Sequence, residues 1–317
     1  VVNRRPTALG SGRGSGRRVE EVMGERIGLI GCGIMGTAMA ARLREAGIGV
    51  VAFDIDADAR DRAADAGCEI AASASAVAEA ADVMLISLPR PEHVTAAVQG
   101  ADGLLTTAAR GSVIADTSTI DPATSRANAA AAAAVGVGYL DTPVLGRPGA
   151  VGAWTMPVGG ETTDLHTAEP VLSTLASRIV HVGPSGHGNT VKLLNNLMFG
   201  AINAATAETF ALAERLGVDQ RMLFETIVDS GAGTVSNLFR HLGPRMVERD
   251  YEPLFSVDNL EKDLGLGLAM AQAAGMRLEV AEAVQHIHQR AQAAGHGRDD
   301  SAAVVEVLRR PTEGDAL

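Results

Sequence analysis

The stretch from residue 27 to 54 constrains this chain more than any other. Ile27-Gly28-Leu29-Ile30 is a short apolar run that reads as a buried strand. Gly31-Cys32-Gly33-Ile34-Met35-Gly36 follows with G-x-G-x-x-G spacing, then a helical pattern over 35–46 and a second strand over 49–53. In a chain with 36 glycines the spacing alone says little. The order strand, loop, helix, strand gives it force. Gly31 lets the chain turn tightly, Gly33 lets the backbone approach a pyrophosphate, and Gly36 lets the helix pack close to the strand. Ile34 and Met35 open the helix, whose N-terminus offers N–H groups and partial positive charge to phosphates. Asp54 ends the second strand, 18 residues after Gly36. An acid there accepts from a ribose 2′-hydroxyl and repels a 2′-phosphate. Ile55-Asp56-Ala57-Asp58 brings no arginine, and Arg60 comes later, so NAD is expected over NADP.

The alternation continues beyond this unit. Helices are predicted over 58–66 and 74–80, a strand over 83–88 stopped by Pro89, another over 113–115, and a helix from Pro122 to 134. Further strands fit 138–140, 155–158 and 178–182. Strands alternating with helices imply a mostly parallel sheet covered on both faces. The character changes at Gly186-His187-Gly188. No strand is predicted after it: one long helix over 190–216 precedes shorter ones near 219–229, 235–248, 257–274, 279–293 and 300–309. The expected fold class is α/β, a Rossmann-type doubly wound sheet domain over 25–187 followed by an all-α domain over 188–317. Residues 1–24 are rich in Gly, Ser and Arg, carry no apolar period, and read as a flexible tail. Its paired Arg17 and Arg18 lead into Val19-Glu20-Glu21, which is no export signal.

Composition narrows the functional classes. A net charge of −11 and 3% aromatics lack the basic footprint and stacking residues of a nucleic-acid binder. No run approaches the ~18 apolar residues of a membrane helix. Two cysteines, Cys32 and Cys68, make neither a disulfide framework nor a Cys-based zinc site. His286 and His288 stand two apart on a helix and point to different faces, so they do not converge on a metal. The expected setting is cytoplasmic. The long helix, in a chain with 55 alanines, suggests a homodimer or homotetramer.

Of 27 basic residues, 25 are arginines and two are lysines, Lys192 and Lys262. Lysine can lose its proton when its pKa is lowered, and arginine cannot. Lys192 lies early in the long helix, with Asn195 and Asn196 at i+3 and i+4. That grouping suits substrate binding and a proton shuttle. A surface lysine beside two solvated asparagines fits the same spacing. Lys262, in Leu260-Glu261-Lys262-Asp263-Leu264, reads by itself as part of a charged helix face.

Four separated blocks carry a resemblance: residues 28–36, Asp116-Thr117-Ser118-Thr119-Ile120-Asp121-Pro122, Gly186-His187-Gly188-Asn189-Thr190-Val191-Lys192-Leu193-Leu194-Asn195-Asn196, and Lys262-Asp263-Leu264. Over about residues 26–310 the chain resembles the β-hydroxyacid dehydrogenases, which include 3-hydroxyisobutyrate dehydrogenase and tartronate semialdehyde reductase. The resemblance implies that Lys192 is the catalytic acid/base. It also implies that Asn196, with Asn195, orients the substrate, and that Lys262 reaches the cofactor from the helical domain. Leu88, Pro89, His93 and Thr119 fall where the family binds the nicotinamide half. The expected reaction is hydride transfer between NAD and a short hydroxy acid.

One segment departs from the family pattern. Its usual substrate loop reads Pro-Val-Ser-Gly-Gly, and here Pro143-Val144-Leu145-Gly146-Arg147-Pro148 stands instead. Leu145 replaces the serine and Arg147 the second glycine. Arg147 offers a bidentate grip on a carboxylate, fills the pocket, or points to solvent. Ser118, Gly146 and Arg147 are the expected carboxylate holders. The altered loop keeps an imine reductase on the same scaffold as an alternative, against which Lys192 and Asp54 argue. A decarboxylating sugar-phosphate dehydrogenase would need a longer chain and a basic cluster. A non-catalytic cofactor-binding module is the remaining alternative.

Overall fold

The computed structural model describes residues 26–231 and 233–309; the segment read as a tail lies outside them. Eight strands form one sheet in the order β3-β2-β1-β4-β5-β6-β7-β8. They are β1 (Arg26–Ile30), β2 (Gly49–Phe53), β3 (Glu69–Ile70), β4 (Val83–Ile86), β5 (Val113–Asp116), β6 (Gly138–Asp141), β7 (Trp154–Gly159) and β8 (Ala176–Gly183). All neighbours pair in parallel except β6 and β7. The helices between them are α1 (Ile34–Glu45), α2 (Ala57–Asp65), α3 (Ala74–Ala80), α4 (Pro91–Gln99), α5 (Pro122–Val135) and α6 (Thr162–Leu175).

Period-2 alternation sends successive strand residues to opposite cores. Leu29, Ala52 and Leu85 join one buried cluster with Met39 and Leu43 of α1 and Leu172 of α6. Ile30, Val51, Met84 and Ile86 join the other with Val77 of α3 and Val94 of α4. Both faces are covered, as a doubly wound sheet requires.

The sequence missed α4 and α6. Pro89 read as the end of a strand, and no helix was expected after it; Pro91 sits at the start of α4, where a proline's missing N–H is no loss. Pro170 lies inside α6, where proline ordinarily ends a helix. The strand predicted over 83–88 ends at Ile86. The two-residue edge strand β3 was also unanticipated.

After β8 come α7 (His187–Arg215), α8 (Gln220–Ser230), α9 (Asn237–Glu248), α10 (Val257–Ala273), α11 (Glu279–Ala291) and α12 (Val304–Arg309). No strand follows Gly183 among the described residues. α7 begins three residues before the predicted start, and at 29 residues it is about 44 Å long. Its first turn packs under the sheet: a Cβ on Gly188 would lie 2.3 Å from the Asp141 carbonyl oxygen. Its later turns build separate apolar clusters, Phe210 with Phe239 and Val304, and Ala204 with Leu260 and Leu264. No helix of the described residues is long and apolar enough to cross a membrane.

The loop after β1 depends on one close approach. A Cβ on Gly36 would lie 1.9 Å from the Gly31 carbonyl oxygen, which is backbone and cannot swing aside. Gly36→Ala is therefore expected to lower stability by about 1–3 kcal/mol, read as an earlier urea midpoint.

Candidate active site

The sheet order places the switch point between β1 and β4, so a crevice opens beyond their C-terminal ends. The loop after β1 forms one wall. Gly31 turns with φ +93°, and its N–H donates to Phe53 O at 2.9 Å. The N-terminus of α1 has no side-chain cap and no acid in its first turn, so the amides of Ile34, Met35 and Gly36 are uncapped. A Cβ on Gly33 would meet nothing within 4 Å. Bare amides under open space at a positive helix end fit a dinucleotide pyrophosphate.

Asp54 directly follows β2, beside this loop. Its carboxylate accepts from Cys32 N at 2.7 Å and Asp56 N at 2.9 Å. A carboxylate has about four acceptor positions, so two remain for ribose hydroxyls. Arg60 reaches the same strand end but spends Nη1 on the Asp54 and Ile55 carbonyls. Cys32 is fully buried in the core, and burial, with Asp54 beside it, pushes its thiol up to about 12. It is a packing residue.

The opposite wall comes from the helical domain. Lys262 of α10 crosses the seam and donates to Thr119 O at 2.8 Å and Pro89 O at 3.2 Å. Between the walls lies a cavity of about 360 Å³ lined by Ile34, Pro89, Arg90, Leu254, Lys262 and Arg298 among others. Ser118 is buried, and its Oγ accepts from Leu88 N at 2.9 Å. That bond ties the loops after β4 and β5. His93 is exposed in the first turn of α4.

The lysine site sits deeper. Lys192 donates from Nζ to Val144 O, 2.8 Å away, in the loop after β6. Burial depresses its pKa; Asp263 pulls it back up and Lys262 pushes it down. Asn196 is buried and donates to Asp263 Oδ2 at 2.6 Å. The other carboxylate oxygen of Asp263 pairs with Lys262 Nζ at 2.9 Å. Asn195 is exposed and donates to Asn196 Oδ1 at 3.0 Å. The three residues read as one face thus divide: Lys192 and Asn196 turn inward, and Asn195 supports Asn196 from the flank. Asp263 is the residue that sequence reasoning left without a role. An acid next to one of only two lysines was its signal, although the sequence read that stretch as a charged helix face.

Arg147 does not hang free. Its Nη1 lies 2.6 Å from Nδ1 of His241 on α9, across the domain seam. Trp154 is buried in the core, and its Nε1 donates to Arg147 O at 2.7 Å. Gly146 is required there, since a Cβ would lie 2.2 Å from Trp154 Cδ1. His286 is exposed and His288 buried, and no metal-binding cluster occurs among the described residues.

Comparison with known proteins shows the family. Residues 26–183 match the family described as the NAD binding domain of 6-phosphogluconate dehydrogenase. Residues 186–308 match the NAD-binding family of NADP-dependent 3-hydroxyisobutyrate dehydrogenase. The chain belongs to the β-hydroxyacid dehydrogenase family. It is 38% identical over 254 residues to 3-hydroxyisobutyrate dehydrogenase of Pseudomonas aeruginosa, covering 78% of this chain and 85% of that one. It is 33% identical to the NAD-dependent L-serine dehydrogenase of the same organism, over 92% of this chain and 99% of that one. Its fold overlays a 3-hydroxyisobutyrate dehydrogenase from Salmonella typhimurium with TM-score 0.82 and 30% identity, covering 89% and 99%. It is thus an NAD(P)-dependent enzyme of the β-hydroxyacid dehydrogenase class.

Gly33 separates binding from stability. Its extended backbone suits any residue and its Cβ meets open space. Gly33→Ala should leave the urea midpoint within about 0.5 kcal/mol of the parent. It should weaken NAD(P)H binding, followed by fluorescence titration, by about 5- to 100-fold, equivalent to about 1–3 kcal/mol.

Proposed function

We propose that this enzyme interconverts a short β-hydroxy acid and its carbonyl form, with NAD preferred and Lys192 as acid/base. The observation that carries the reading is Lys192 itself. It is held at Val144 O in the substrate loop, and burial lowers its pKa from the ordinary lysine value. A lysine that is neutral part of the time accepts a proton as readily as it returns one.

In oxidation the neutral amine of Lys192 takes the hydroxyl proton as the C=O bond forms. In reduction the ammonium gives that proton back to the carbonyl oxygen. When bound, the nicotinamide supplies the matching hydride acceptance and donation. Asn196 uses one amide hydrogen on Asp263 and keeps the second for the substrate oxygen. Asn195 steadies it. Ser118, the backbone at Gly146 and the Arg147 side chain hold the carboxylate. Gly31, Gly33, Ile34, Met35 and Gly36 receive the pyrophosphate, with Lys262 above Thr119 and Pro89. His93 and Leu88 flank the nicotinamide half. The preference for NAD rests on Asp54, with Asp56 next to it and Arg60 turned to backbone carbonyls.

Self-association belongs to the same reading. The outward face of α7 carries Leu194, Met198 and Ile202 at i, i+4 and i+8, exposed by 52%, 64% and 36%. A second copy covers this stripe. Met198→Glu should shift the protein toward monomer in size-exclusion chromatography with light scattering.

Turnover of short β-hydroxy acids, run in parallel with NAD and NADP, tests the chemistry. Lys192→Ala should lower kcat by about 10²- to 10⁴-fold. Lys192→Arg, permanently charged, should not rescue it. Because the lysine pKa is lowered, kcat/KM for oxidation should rise with pH and level off below the ordinary lysine value of about 10.4. The reduction should fall over the same interval. Profiles unchanged in the variants would remove Lys192 from the chemistry.

A further inference from the structure

The substrate loop ends in a pair of side chains drawn from two domains. Arg147 lies at the rim of the sheet domain, and His241 lies half-buried on α9. Their contact, 2.6 Å between Nη1 and Nδ1, has one chemical meaning. Arginine has only donors, so Nδ1 must accept, and the ring must be neutral with its proton on Nε2. The pair therefore presents further donors at the seam. Among the described residues, Nε and Nη2 of Arg147 and Nε2 of His241 have no hydrogen-bond partner.

The location relates the pair to the reacting atoms. Val144, whose carbonyl oxygen takes the Lys192 ammonium, is three residues from Arg147. Their Cα atoms are thus at most about 11 Å apart. Trp154 fixes the Arg147 carbonyl from the core, so the side chain starts from an anchored backbone. Beneath the pair lies Asp300, buried, whose Oδ2 accepts from Leu254 N and Phe255 N. Leu254 lines the cleft cavity. Asp300 pairs with Arg245 at 3.5 Å and is committed to its own strap of backbone. It does not neutralise Arg147 by direct contact.

We propose that Arg147 and His241 together form the carboxylate-recognition element of this enzyme. Arg147 is the specificity-determining cation. His241 is a positioning residue that turns the guanidinium edge toward the cleft and adds one N–H of its own. The inference rests on the hydroxy-acid reading above and assigns its substrate class a specific handle. A fixed arginine edge suits the two oxygens of a carboxylate, and it replaces the hydroxyl lost at Leu145. Because one partner belongs to each domain, the carboxylate is gripped fully only when the helical domain is seated against the substrate loop.

The arrangement carries a pH signature. The charged groups facing the His241 ring are Arg147 on the loop, Arg245 on its own helix, and Asp300. Burial lowers the His241 pKa first, Arg147 lowers it further, Asp300 raises it and Arg245 lowers it. The ring is therefore neutral at pH 7 and the contact is intact. Protonation of Nδ1 in acid sets donor against donor and releases Arg147.

The test uses the full chain saturated with NADH. Binding of malonate, a non-reacting carboxylate, and of the neutral malonamide is followed by calorimetry. Turnover of 3-hydroxypropanoate is compared with that of its amide. Arg147→Met and His241→Leu should each weaken malonate binding about 10- to 100-fold and reduce the acid-over-amide preference equally, with the NADH Kd unchanged. His241→Asn, which keeps an acceptor near the Nδ1 position, should restore most of both. In the parent, malonate binding should weaken below the ordinary histidine range more steeply than malonate's own protonation accounts for, and His241→Asn should show the ligand's limb alone. Unchanged malonate binding in Arg147→Met, or equal damage from the Asn and Leu variants, overturns the proposal. Lys192-dependent turnover with an unaltered acid preference overturns this pair and leaves the oxidoreductase reading standing. Malonate binding that needs the pair, in a protein with no Lys192-dependent turnover, does the reverse.

Discussion

The structure turns on the Asp141 carboxylate. It stands at the buried end of β6, and both its oxygens are bound by the start of α7: Gly186 N at 2.7 Å and Asn189 N at 2.8 Å. Burial raises its pKa, and the two amides pull it back down. The helix N-terminus supplies the positive end that a buried anion needs. Asn189 extends the grip by accepting from Ile120 N and donating to Ser125 Oγ, which ties in the loop after β5 and the helix α5. α7 is a stiff rod, so fixing its first turn fixes the position of Lys192. Val144 lies only three residues after Asp141. Lys192 and the carbonyl it touches are thus referenced to one carboxylate. A small shift of that carboxylate would move both together rather than apart.

A second constraint fixes the far side of the site. Gly200 of α7 meets Leu264 so closely that a Cβ would lie 2.8 Å from Leu264 Cδ2, and Gly267 of α10 meets Leu197 in the same way at 2.9 Å. This close crossing brings Asp263 within 2.6 Å of Asn196. Asp263 then has two partners at once, Asn196 by a hydrogen bond and Lys262 as an ion pair. A buried carboxylate with one partner would be a liability; with both it orders the amide and the ammonium relative to each other. Small residues in the helix crossing therefore bear on chemistry that takes place a turn away.

What the sequence revealed follows from the range of each interaction. The loop of residues 31–36, Asp54 and the strand–helix alternation are local, and the fold reproduces them. The rarity of lysine singled out Lys192 and Lys262 through composition alone, and the fold joins them through Asp263. Helices α4 and α6 went unpredicted: Pro91 occupies the first turn of α4, where proline fits, whereas Pro170 lies inside α6, against the local preference. Arg147 stood out as a departure at the substrate loop, but His241 is 94 residues away and had no local mark. Asp141 and Asn189 were equally silent, since nothing in their neighbourhood says that the end of a strand will cap a helix 45 residues later.

The two domains keep separate apolar cores, and the seam between them is polar. The sheet buries its own two clusters, and the helices bury theirs. Across the seam run the Lys262 contacts to Pro89 and Thr119 and the Arg147–His241 contact. Contacts of that kind exchange with water or with ligand oxygens at small net change in free energy, whereas a shared apolar core would not separate without exposing it. The donors that hold the seam are also cations or neighbours of cations. The seam is thus joined by cationic donors on neutral acceptors, which leaves positive charge at the mouth of the cleft. Lys192 stands apart from that exchange, because its anchor is the first turn of α7 on the sheet. The position of Lys192 is thus set by the sheet, independently of the polar contacts along the seam.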